Sequence, residues 1–366
     1  MLFLFSTKAG SATWYWNGSS NLADTSFSNQ QPNGAIEING AGAINLTANL
    51  VTFDSNMNNS NAAGGAIRFV SPYTATITGN SAIFSNNVGG NPGGGAIYVG
   101  NNAVLNFNIT STTFIGNNSG NYDSGDLGVR GGTFKANNIR YMRFSGARGT
   151  WGGSMYLGWQ NYAGVTIVEF NLLPTGQFII EDAVATKSGG GINGNFVQDY
   201  DNKLTFNNGT IIFRNNIAAT NNTANTGGGA LSLESHAYTK NRVTISFNNT
   251  RVEFTGNYSY QQGGVIYLSN NAGSPAGNLN RRLEFNGSTL IFTSNTARFN
   301  GGIIYSVNGD IAIANSVMEF IGNESQGAQS NGTIGFDSGV SFTMTNIPHM
   351  LGIKNRASNG GFLYVP

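Results

Sequence analysis

Residues 84–117 read FSNNVGGNPGGGAIYVGNNAVLNFNITSTTFIGN. A Phe-x-x-Asn tetrapeptide opens this stretch at Phe84 and another closes it at Phe114. Between them stand Gly94-Gly-Ala-Ile97 and an alternating apolar run, Val104-Leu105-Asn106-Phe107. Outward from here the same units recur in the same order. Phe-x-x-Asn returns at Phe53, Phe213, Phe254, Phe292 and Phe320. Gly-Gly before small or apolar residues returns at Gly64, Gly228, Gly263, Gly301 and Gly360, with weaker copies at Gly152, Gly190 and Gly332. Alternating runs fall between the two motifs at Ala75-Ile77, Val243-Ile245-Phe247, Leu283-Phe285 and Ile311-Ile313.

Self-similarity at a recurring period, here the step from Phe84 to Phe114, is the mark of a stacked-repeat architecture. Each unit holds three short runs of strand character separated by Asn, Gly and Ser, and no helical period competes. A unit so small cannot bury its apolar face alone, so it stacks on its neighbours. The pattern predicts an all-β chain, a right-handed parallel β-helix. It is a three-sheet β-solenoid of about ten coils, spanning residues 41–366 behind an N-terminal cap at 1–40. The glycines serve bends where φ is positive or a Cβ would clash. The Phe ring fills the core, and the Asn at the turn is placed to form an amide ladder from coil to coil.

Composition agrees. The chain has 366 residues, with 52 Gly and 54 Asn, only 10% charged residues and no Cys. Phe at 24 and Tyr at 14 supply enough apolar surface to fold. A net charge of +1 leaves no electrostatic footprint for nucleic acid and little repulsion between copies. No run approaches the roughly 18 apolar residues of a transmembrane helix. Met1-Leu-Phe-Leu-Phe5 resembles the stump of a secretory signal, with Gly10-Ser11-Ala12 as a cleavage site, although it is too short to be a whole one.

Catalytic, cofactor-binding and metal-ligating residues are not expected. The histidines, His236 and His349, lie more than a hundred residues apart, and no triad, phosphate loop or metal spacing is present. A glycosidase needs two convergent carboxylates. The one acidic gathering is in the irregular coils at 120–205: Asp123, Asp126, Glu181, Asp182, Asp199 and Asp201, near Arg130, Arg140, Arg143 and Arg148. Here Phe144-Ser-Gly-Ala147 and Phe178-Ile-Ile-Glu181 stand where Phe-x-x-Asn is expected. Trp14-Tyr-Trp16 in the cap offers a carbohydrate platform as the sharper alternative to simple end-covering. Sequons, including Asn45, Asn117, Asn208, Asn257, Asn286 and Asn323, are frequent, as expected by chance in so Asn-rich a chain.

The pairing of Gly-Gly-Ala-[Ile/Leu/Val] with Phe-x-x-Asn resembles the repeat of the chlamydial-type polymorphic outer-membrane proteins, whose passengers belong with the autotransporters. The resemblance spans roughly residues 40–366. It implies an extracellular or cell-surface location and an adhesin passenger with a host-cell or surface glycan ligand. Those proteins are rich in Cys and end in a membrane barrel, and this sequence shows neither. Residues and resemblance together lead to a structural subunit of a surface fibre. Its expected partners are copies of itself, stacked head to tail through an open end at Gly360-Gly-Phe-Leu-Tyr-Val-Pro366. The adhesin passenger is the alternative, and a polysaccharide-degrading enzyme the remote one.

Overall fold

A computed structural model describes residues 14–364, apart from 17–19, 23–25, 31–33, 59–62, 71, 92, 121, 159–163, 197–200, 221–225, 236–241, 271–279, 308, 328–331, 338–339 and 359–360. At 14–16, 20, 22, 196, 235, 242, 270, 280 and 364 only the backbone is described. The described residues form a parallel β-solenoid without a helix. The strand that follows each Gly-Gly stacks on its counterpart in the next coil. Twelve such strands, from Trp14–Trp16 through Ile97–Gly100 to Leu363–Tyr364, make sheet 1. The alternating runs make sheet 2 and the Phe strands sheet 3. In four successive coils these two are one continuous strand: Thr74–Ser85, Val104–Ile115, Thr133–Ser145 and Ile167–Glu181.

Two features differ from expectation. A fourth element, only two residues long, follows the Asn, and six copies from Arg148–Gly149 to Glu324–Ser325 form sheet 4. The ladder also reaches back before residue 41. Trp14–Trp16 pairs with Ile36–Ile38, Ser20–Leu22 with part of Gly42–Leu46, and Ser26–Ser28 with part of Leu50–Asp54. These first coils lack the Gly-Gly signature, so motif counting undercounts the coils.

The register stacks like on like. Phe27, Phe53, Phe84, Phe114 and Phe144 occupy one column of sheet 3, and Phe213, Phe254, Phe292 and Phe320 continue it. Within each run the successive ring centroids are 4.4 to 5.1 Å apart and the rings nearly parallel. Offset stacking of this kind adds roughly 0.5–1.5 kcal/mol per pair beyond area burial. A second column, Phe170, Phe206, Phe247 and Phe285, lies on the inner face of sheet 2.

Between the two runs the expected alignment of Phe178 is corrected. Ile180, not Phe178, pairs with Phe144 and Phe213. Residues 173–176 stand opposite the single Arg140, and this insertion offsets the strand. Phe178 instead turns its ring toward Phe170 and Phe206, at 4.6 and 5.0 Å, filling the interior beside the smaller Ile180.

The Gly-Gly pair has two separate causes. Gly94 has φ 75°, a region L side chains avoid. At Gly95 an added Cβ would overlap the carbonyl oxygen of Gly125 in the next coil.

The Asn of Phe-x-x-Asn is wholly buried in the inner coils. From Asn216 through Asn257, Asn295 and Asn323 to Asn355, both the backbone N–H and Nδ2 of each residue donate to Oδ1 of the next. Nδ2 also donates back to the carbonyl of the preceding coil's Phe, as Asn257 does to Phe213 at 2.9 Å. Asn56, Asn87 and Asn117 form the same column in the first half.

Asn257→Ala leaves the Asn216 donors and the Phe213 carbonyl unpaired in the interior. We expect it to cost about 2–4 kcal/mol in urea unfolding, against about 0.5 kcal/mol or less for the exposed Asn45→Ala. The same burial forbids a glycan on a folded chain. Glycopeptide mapping of material secreted from a glycosylating host should find none at Asn117, Asn257 or Asn323, and occupancy confined to exposed sequons such as Asn45, Asn208 and Asn286.

Candidate functional site

Within the described coils the interior is covered by the next coil, and the exception is the last. Ser341–Thr345 pairs with Asp310–Ala314, and His349–Ile353 with Val317–Ile321. The register therefore places Met344 below Ile313, Met350 below Met318 and Leu363 below Ile334. In the covered coil these partners are at most 2% exposed, whereas Met344, Met350 and Leu363 are 43%, 49% and 42% exposed. Among the described residues no further strand pairs beyond Ser341–Thr345, His349–Ile353 and Leu363–Tyr364.

The amide column arrives at the same surface with a direction. Asn355 Oδ1 accepts from Asn323, and Asn355 Nδ2 donates to the Phe320 carbonyl at 2.9 Å. In every earlier coil of that run the Asn N–H and a second Nδ2 hydrogen point to an Oδ1 further along. At the opposite end the column begins with Gln30, whose N–H donates to Asn56 Oδ1 at 3.1 Å.

The charged residues singled out in the irregular coils do not gather into one site. Asp123 pairs with Arg130, both buried, and the Arg130 guanidinium lies 5.1 Å from the centre of the Tyr156 ring. Glu181 is held between Arg143 and Arg214 of the adjoining coils. Burial works to raise its carboxyl, but the hydrogen bonds and charges of the two arginines outweigh it and hold the group below the ordinary range. Asp182 accepts from Asn215 at 3.2 Å. Arg140 and Arg148 are exposed, as is His349, and Asp201 lines a groove on sheet 2. Asp199 and His236 lie outside the described residues, as do the side chains of Trp14 and Trp16.

Sequence reasoning missed a polar cluster on the outer side of sheet 1. Glu234 is buried there, accepting from Ser232 Oγ at 2.8 Å and Asn193 Nδ2 at 3.4 Å. Burial pushes the Glu234 carboxyl up despite these donors and the charge of Arg281. Burial also lowers the Arg281 guanidinium to about 10. The signal was present in the sequence. Positions two and four of the sheet 1 strands alternate outward, and in two coils they read Asn193/Asn195 and Ser232/Glu234.

Asp126 belongs to the amide column. Its coil is followed by two in which the Phe-x-x-Asn position is Ala147 and then Ala183, so Asn117 finds no Oδ1 ahead of it. Asp126, which replaces the Ala of Gly-Gly-Ala, supplies one instead: Asn117 Nδ2 donates to its Oδ1 at 2.8 Å. Burial raises this group from 3.8 to about 8, only partly opposed by hydrogen bonds from Asn117 and Ser154.

No family model, curated protein or solved structure matches this chain.

A carboxyl whose folded-state pKa is raised binds its proton more tightly in the folded chain. Its contribution to stability is therefore full below about pH 4 and is lost as pH rises to about 8. Asp126→Asn keeps the acceptor for Asn117 and cannot ionise. We expect it to be more stable than the native chain at pH 8, by an excess that shrinks toward pH 4, measured by urea unfolding across that range.

Proposed function

We propose that this chain is a non-catalytic structural protein of the cell exterior, a rigid rod that stacks end to end into a fibre. The observation that supports it is the repeated joint between coils, in which parallel pairing, apolar burial and amide hydrogen bonding recur from one coil to the next. A coil of a second copy adds by the same contacts. Because the two ends differ, the contact is heterologous and does not close, so repetition gives a filament rather than a dimer. The near-zero net charge favours such association. Surface display follows from the resemblance of the repeats to outer-membrane passengers. Adhesion through the irregular coils is the second reading, favoured by the insertion at 173–176, which breaks the repeat on the outer surface.

Electron microscopy of the purified chain beside a Met344→Asp/Met350→Asp variant tests the proposal. We expect filaments from the native chain and isolated rods from the variant, with unchanged far-UV circular dichroism. Isolated rods from the native chain at high concentration would reject end-on assembly.

A further inference from the structure

The outer face of sheet 2 carries a groove of about 370 Å³ over four successive coils. Strand register fixes its floor. Lys203, Thr244 and Arg282 lie in one column, continued by Asp310, and Thr205, Ser246 and Glu284 lie beside them. Coils are about 4.8 Å apart, so these side chains form a regular polar grid on rigid backbone. Glu284 is held in place by Ser246 Oγ, which donates to it at 3.0 Å, and by the Arg282 guanidinium. Lys203 and Asp310 make no ion pair among the described residues.

The chemistry of this grid selects its ligand. No apolar side chain lines the groove, so it offers nothing to a hydrophobic group. Carboxylates alternate with cations, so neither an anion nor a metal ion finds a field of one sign. Fixed carboxylate, guanidinium, ammonium and hydroxyl groups at close spacing do match vicinal hydroxyls, each of which both donates and accepts. An extended ligand crossing the coils meets that set repeatedly. We propose that this groove binds a neutral oligosaccharide, with Thr244, Ser246 and Glu284 on its hydroxyls and Lys203 and Asp310 at its two ends. The site is on the side of the rod, so it neither requires nor prevents end-to-end stacking, and its test reads a different surface.

The test is calorimetric titration of the full chain with cellohexaose, maltohexaose and N-acetylchitohexaose, backed by saturation-transfer NMR. At least one should bind. Thr244→Val/Ser246→Ala should weaken that binding tenfold or more, and Lys203→Ala, an exposed change that leaves the fold intact, should weaken it severalfold. Asn45→Ala, a remote surface change, should leave it unaltered. Failure of all three sugars to bind overturns the proposal. So does affinity unchanged in both groove variants, or binding only of an anionic hexagalacturonate or a charged peptide.

Discussion

One constraint governs this molecule: each coil must present to the next a surface that matches it atom for atom. Parallel strands satisfy one another's backbone groups only if every coil keeps register, and a slip of one residue turns the core outward. The buried Asn column enforces that register at the most vulnerable point, where sheet 3 ends and the chain turns. There the backbone N–H of the Asn and the carbonyl of the Phe three residues before it have no sheet partner. A single amide side chain of the next coil answers both: Asn257 Oδ1 accepts the Asn216 N–H, and Asn257 Nδ2 donates to the Phe213 carbonyl. The residue cannot be shortened without orphaning both the donors and the carbonyl of the preceding coil.

The column also explains where the repeat departs from itself. Ala147 and Ala183 interrupt it, and beside the interruption stands a buried carboxyl, Asp126, in a position other coils give to Ala66, Ala96 or Ala230. The same coils hold the insertion at 173–176 and the displaced Phe178. These are compensations for one another. A missing acceptor is replaced from sheet 1, and a ring missing from sheet 3 is replaced in volume by one two residues earlier. The solenoid tolerates local irregularity because each coil answers only to its neighbours.

The same nearest-neighbour logic frames the functional reading. A solenoid in which each coil is bound by the same pairing, burial and amide bonds as the last is the kind of structure to which the proposed end-to-end assembly would add a coil without a new type of contact. Its flanks are different. They carry surface amides such as Asn137, Asn171, Asn207 and Asn248, hydrogen-bonded in a second, outer row, and the polar groove beside them. The two proposals concern different surfaces, so each stands or falls without the other.

The sequence by itself determined the fold class, because a repeat as short as the step from Phe84 to Phe114, holding three strand-like runs, has few ways to bury its apolar atoms. It also determined the column positions of the Phe and Asn residues, since a fixed offset in sequence becomes a fixed place in a solenoid. The sequence did not reveal the alignment of Phe178 or the role of Asp126. Both depend on how an insertion is absorbed in three dimensions. Nor did it reveal the Glu234 cluster or the groove beside Thr244 and Ser246. Those sites join residues from successive coils, far apart along the chain, which become neighbours only once the register of each strand is set. Register is a property of the stacked coils.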